Sequence, residues 1–161
     1  MLRIDQATEA DTSLILRFIR GLAAYENLSD ACVATEDALR ATLFGERPAA
    51  EVLLAFWDDE PAGFALFFSS YSTFLAKPGI YLEDLFVEPE LRGHGIGTAL
   101  LARLANLAVE RDCGRLEWSV LDWNEPSIGF YRNLGAVAMD EWTGYRLTGD
   151  ALERVAATAA R

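Results

Sequence analysis

Tyr81-Leu82-Glu83-Asp84-Leu85-Phe86-Val87-Glu88-Pro89-Glu90-Leu91-Arg92-Gly93-His94-Gly95-Ile96-Gly97-Thr98 is the stretch on which the fold turns. Its first half is apolar and aromatic apart from two acids and predicts a strand from about Ile80 to Val87, stopped by Pro89. Its second half hands that strand to a helix through Gly93, Gly95 and Gly97. Glycine lets a backbone come close to a ligand and turn its N–H groups inward, and the start of the next helix adds partial positive charge. Such a site suits a diphosphate, with Arg92 supplying a full charge and a forked set of donors. Two nucleotide motifs fail on spacing. A P-loop ends in Gly-Lys-Ser/Thr, whereas Gly97 runs into Thr98 with no lysine. A dinucleotide fingerprint reads G-x-G-x-x-G, and here the order is G-x-G-x-G. A flexible connector that holds nothing fits the same residues, and His94 faces solvent in either case.

Leu2-Arg3-Ile4 predicts a first strand, and Thr8-Glu9-Ala10-Asp11 resembles a capping box with Thr8 as N-cap. Leu14, Ile15, Phe18, Ile19 and Leu22 follow at helical spacing to about Tyr25, and a second helix fits Thr35 to Leu43. Val52–Trp57, the turn Asp58-Asp59-Glu60-Pro61 and Gly63–Phe68 make a β-hairpin. Beyond the glycines, Leu100, Leu101, Leu104 and Leu107 line a helix from about Thr98 to Arg111, and Leu116–Leu121 is a further strand. Pro126–Leu134 is a short helix capped by Asn124 or Glu125 and closed by Gly135. Two short strands are expected near Ala136–Met139 and Trp142–Leu147, then a helix from Asp150. Hairpins followed by a strand–loop–helix unit indicate one α/β domain over residues 1–161.

Composition narrows the function classes. The chain has 161 residues, 52% hydrophobic and 24% charged, which is a globular balance with no apolar run of the ~18 residues a membrane span requires. The N-terminus, Met1-Leu2-Arg3-Ile4-Asp5, is polar by its fifth residue, which argues against a secretory signal and for a cytoplasmic protein with Cys32 and Cys113 reduced. One histidine and two distant cysteines argue against a zinc site, so no metal is expected. The net charge of −11 repels nucleic acid and draws in cations, although plain solubility accounts for it too.

The order Arg92-Gly93-His94-Gly95-Ile96-Gly97 behind Leu85-Phe86-Val87-Glu88-Pro89 resembles the acetyl-CoA diphosphate loop of the GNAT acetyltransferase superfamily. That family's pattern, Gln/Arg-x-x-Gly-x-Gly/Ala, is met by Arg92, Gly95 and Gly97. Leu22-Ala23-Ala24-Tyr25-Glu26, Tyr81–Val87 and Trp123–Tyr131 resemble the matching blocks of diamine (spermidine/spermine) acetyltransferases and their thialysine-acetylating relatives. The likeness runs from Arg3 to about Leu147. It implies the GNAT acyl-CoA N-acyltransferase fold, a mixed central sheet flanked by helices, with acetyl-CoA as co-substrate. It further implies cofactor contacts from Leu85, Phe86, Val87, Arg92, Gly93, His94, Gly95, Ile96, Gly97, Thr98, Asn124, Ser127 and Tyr131. The implied acceptor is a small cationic primary amine, a di- or polyamine first and a lysine analogue or other aminated metabolite as the alternative. A homodimer, without nucleic acid or membrane partners, is expected. A non-catalytic acyl-CoA-binding module is the rival from another class; the presence of Tyr131 and Glu83 argues against it, since binding CoA requires neither.

Acetylating an alkylamine raises two proton problems. An amine of pKa ~10 must lose a proton before it attacks, and the departing thiolate is best captured by an acid. Tyr131, four residues after Ser127 on one helix, is the candidate acid by the resemblance, where a packing tyrosine is the bland alternative. Glu83 is the candidate base, acting through water. Simple alternation puts Tyr81, Glu83 and Leu85 on one face and Leu82, Asp84 and Phe86 on the other. A bulge here, as in the superfamily, breaks that rule and frees Leu85–Val87 to bond the cofactor and polarise the thioester. A solvated acidic pair is the competing explanation, and which of Glu83 and Asp84 is better placed stays open. Tyr25, Glu26, Glu83, Glu117, Trp118 and Ser119 fall where the family holds substrate. One departure bears on the acceptor: Trp142-Thr143 stands ahead of Gly144-Tyr145-Arg146, where polyamine-specific members carry an acid.

Overall fold

A meander lays down most of the sheet. Strands β1 (Leu2–Gln6), β2 (Glu51–Trp57), β3 (Glu60–Ser72) and β4 (Lys77–Val87) are successive antiparallel neighbours, and β5 (Leu116–Trp118) joins β4 in parallel. The computed structural model describes residues 1–160 and divides the chain into two units, Met1–Ser119 and the part from Val120 onward. The β2–β3 turn is the two-residue kind: Trp57 pairs with Glu60, and Asp58 and Asp59 between them have φ of 49° and 66°. Two left-handed residues match the twist of the flanking strands, and aspartate tolerates that region better than most side chains.

Helices α1 (Thr12–Tyr25), α2 (Glu36–Leu43) and α3 (Ile96–Glu110) complete the first unit. Thr8 caps a short 3-10 turn over Glu9–Asp11 rather than α1 itself, its backbone N–H donating to Asp11 Oδ2 at 2.7 Å. Thr35 caps α2 by accepting from the Ala38 N–H. Phe18 of α1 is fully buried, its ring 5.6 Å from Phe64 and 6.0 Å from Phe86. The helix approaches so closely that a Cβ at Gly21 would lie 2.8 Å from the Phe86 ring, so glycine there is a packing requirement. Leu100 and Leu104 of α3 are likewise fully buried, with α3 packed on β2, β3, β4 and β5.

The second unit contains α4 (Glu125–Asn133) and α5 (Gly149–Ala156). Two expectations are corrected. The strand beginning at Leu116 ends at Trp118, short of Leu121. Neither Ala136–Met139 nor Trp142–Leu147 forms a strand. The turn between them does form, with the Trp142 N–H donating to Met139 O at 3.2 Å, but no ladder follows it. Alternating apolar residues signal a strand only where an edge accepts their N–H and C=O groups, and that edge is a tertiary property.

Candidate active site

The site begins with an irregularity in β4. Leu66 of β3 pairs with Asp84 while the next residue, Phe67, pairs with Leu82, so Glu83 is an extra residue on its strand. This bulge interrupts the alternation of faces. Ile80, Leu82 and Phe86 remain in the core, whereas Glu83 is exposed and Asp84 half-buried. β5 pairs with β4 only at Ile80, Tyr81 and Leu82. Past the bulge, Leu85, Phe86 and Val87 pair with Ala65, Phe64 and Gly63 of β3, and their other edge has no β5 partner. That edge offers backbone donors and acceptors to an extended ligand.

From Val87 the chain makes a 3-10 turn over Pro89–Leu91 and enters the glycines. Gly93 and Gly95 have φ of 84° and 76°, and Gly95 is the N-cap of α3 with no side-chain cap bond. A Cβ at either would find nothing within 4 Å, and one at Gly97 would meet only Val87 Cγ2 at an ordinary 3.9 Å. No protein atom fills this cradle, and the first amides of a 15-residue helix open beside it. These residues fit a diphosphate, which would take those amides as donors. His94 is exposed at the rim, Nδ1 lying 3.1 Å from Leu91 O and its ring 5.0 Å from Trp57. Arg92 folds back: its Nε donates to Val87 O at 3.1 Å, and its guanidinium lies 4.8 Å from the Tyr25 ring centroid.

Three carboxylates share one field beside the bulge. Burial, then the charges of Glu83 and Glu26, push Asp84 up to about 6. Glu26, which caps the end of α1, is raised by burial and then by Glu83. A carboxyl at such a value is mostly ionised near neutrality yet able to take a proton, which makes Asp84 a candidate base beside Glu83. Nothing in the sequence reveals this, because the register that sets both burials is a pairing across strands. Tyr81 joins the site unannounced, its hydroxyl 2.7 Å from Ser119 Oγ. Glu117 faces Arg115 at 3.8 Å and pairs with Tyr81, while Trp118 pairs with Leu82.

Within the second unit, Asn124 is buried and caps α4, its Oδ1 accepting from the Ser127 N–H at 3.4 Å. Pro126 occupies the first turn, where its missing N–H costs nothing. Ser127 and Tyr131 are both half-buried one turn apart, and Gly135 closes the helix at φ 88°. Among the described residues no cluster of His, Cys, Asp and Glu is placed to hold a metal, and no helix is long and apolar enough to cross a membrane.

The family model described as Acetyltransferase (GNAT) family matches residues 21–136. The chain is 42% identical to a thialysine N-epsilon-acetyltransferase of Bos taurus, over 95% of this chain and 96% of that protein. It is 34% identical to an L-ornithine N5-acetyltransferase of Arabidopsis thaliana, over 95% and 87% of the two chains. An integron cassette protein from V. cholerae superposes with a TM-score of 0.81 at 29% identity, covering 96% of this chain and 97% of the other.

Proposed function

The chain belongs to the GNAT family of acetyltransferases, and on that premise we propose that it moves an acetyl group from acetyl-CoA to a primary amine of a small acceptor bearing a second positive charge. The carrying observation is the trio Glu26, Glu83 and Asp84, held at a strand bulge with Asp84 at about 6. Three close carboxylates are costly together unless a cation relieves them.

The thioester supplies the acetyl group; the chain's own residues do the rest. The amides at the start of α3 and the glycine backbone hold the diphosphate. The open edge of Leu85–Val87 polarises the thioester carbonyl. We assign Asp84, rather than Glu83, to accept the amine proton directly or through water. Glu26 and Glu83 hold the distal ammonium, with Tyr25, Trp118 and Ser119 around them. Tyr131 is assigned the proton donor to the departing thiolate, and Asn124 and Ser127 contact CoA. The family match spans residues from both units, which supports reading 1–161 as a single N-acetyltransferase domain.

A di- or polyamine is the first choice of acceptor. A lysine- or ornithine-like amino acid is the second, favoured by Trp142-Thr143 in place of an acid and by the names of the two relatives. A thiol-release assay with acetyl-CoA against polyamines, lysine analogues, ornithine and aminoglycosides tests both. Release with no acceptor above background hydrolysis would leave only an acyl-CoA-binding module. A homodimer is our reading of the assembly, and sedimentation tests it. Two free cysteines are consistent with a cytoplasmic setting, which fractionation of the source cell checks.

A further inference from the structure

We infer that Arg92 is a positioning residue for the acceptor amine: through the Tyr25 ring it clamps the last turn of α1 to the glycine loop, and so sets where the Glu26 carboxylate stands. The body of α1 is pinned by its close approach to Phe86 at Gly21, one turn before the helix ends. The final turn is held differently. Tyr25 is the last residue of α1, and the Arg92 guanidinium lies 4.8 Å from its ring centroid and 5.8 Å from that of Phe86. The same guanidinium is anchored to β4, Nε donating to Val87 O at 3.1 Å. Arg92 therefore joins three parts: the loop that carries it, the strand end, and the helix end.

Glu26 follows Tyr25 directly, and its N–H still donates to Leu22 O, so the carboxylate moves with the ring's turn of helix. Its field reaches Glu83 and Asp84. A shift of that turn changes the spacing of the trio that meets the acceptor's distal charge. Lysine in place of Arg92 keeps the charge but loses both the planar stacking face and the Nε–H. The inference rests on the acetyltransferase function proposed above, because only an acceptor makes Glu26's position matter.

The test is a double-mutant cycle on Arg92→Lys and Tyr25→Leu in the full chain, reading acceptor KM by thiol release and acetyl-CoA Kd by calorimetry. An exposed cation–π contact corresponds to a ~2–5-fold effect, and loss of the anchoring bond brings the Arg92→Lys change to roughly 5–20-fold. Acceptor KM should rise by those factors, at least threefold more than any change in acetyl-CoA Kd. The double variant should fall short of the product of the two single effects by at least about twofold, because both changes break the Arg92–Tyr25 contact and that shared loss counts once. Tyr25→Phe should recover most of what Tyr25→Leu loses, since the ring face is restored. Multiplying effects, or a loss confined to acetyl-CoA Kd, would overturn the inference. In NMR spectra the Arg92 δ-methylene protons should be shifted upfield by the Tyr25 ring and relax in Tyr25→Leu; no such shift overturns it whatever the kinetics. A wild type inactive on every amine would instead refute the functional proposal, and the acceptor role with it.

Discussion

Replacing Asp84 with asparagine should make the protein more stable at pH 8 and leave its stability unchanged at pH 4. The folded carboxyl is raised from the ordinary 3.8 to about 6 by burial and by Glu83 and Glu26. Between those two values the native state holds a proton that the unfolded chain has released. Stability therefore falls as pH rises through this window, and the cost is fully developed above pH ~7. At 1.36 kcal/mol per pH unit the gap amounts to about 3 kcal/mol, an order-of-magnitude figure. Asparagine has the same shape without the charge, so it recovers up to that amount at pH 8 and nothing at pH 4. For a chain of this length the gain corresponds to roughly 6–12 °C in Tm. Turnover moves the other way: without a base at this position kcat at pH 7 should fall ~10²-fold or more, and wild-type kcat/KM should rise with pH through about 6. Thermal and urea unfolding at pH 4, 6 and 8, paired with rates on the same preparations, decide it. A stability difference that does not change with pH, or a less stable asparagine variant at pH 8, refutes the placement of Asp84 as a buried, repelled carboxylate.

Three further outcomes are expected. Gly95→Asp puts a side chain and a negative charge into the cradle at the start of α3, so calorimetry should show acetyl-CoA binding weakened ~100-fold or more, from two lost bonds of ~1.5–3 kcal/mol each. The change also strains the backbone, since φ of 76° is a region that L side chains rarely adopt, so circular dichroism and Tm on the same variant check that the fold is kept; aspartate visits that region more readily than most residues. Tyr131→Phe should lower kcat ~10²–10⁴-fold with acetyl-CoA affinity within a few fold; an unchanged rate would make Tyr131 a packing residue. Glu26→Gln should raise KM for a diamine roughly 5–30-fold, from a contact of ~1–2 kcal/mol, with much less effect on a monoamine of similar length; equal effects on both would remove Glu26 from the acceptor site.

The features legible in the sequence are those set by near neighbours. The β2–β3 hairpin needs only two residues that accept left-handed φ, and Asp58-Asp59 supply them. Helix α3 follows from leucines at helical spacing, α4 from Asn124, Pro126 and Gly135, and the left-handed turn into α3 from glycines between a strand and a helix. Each depends on contacts within about four positions, so composition and spacing suffice. The family likeness was legible for the same reason, as short blocks in a fixed order.

The remaining features depend on residues far apart in the chain. Glu83 becomes the bulge because of where β3 sits against β4, and that register leaves Asp84 half-buried beside Glu83 with its carboxyl pushed up to about 6. Arg92 lies against Tyr25, sixty-seven positions earlier, because α1 packs down onto Phe86. Residues 136–147 alternate like strands yet form none, because a strand exists only against an edge that takes its hydrogen bonds. Sequence determines which groups the chain can offer to a site. Pairing and packing determine how deeply each is buried and which charges it faces, and those two quantities set a carboxylate's affinity for its proton.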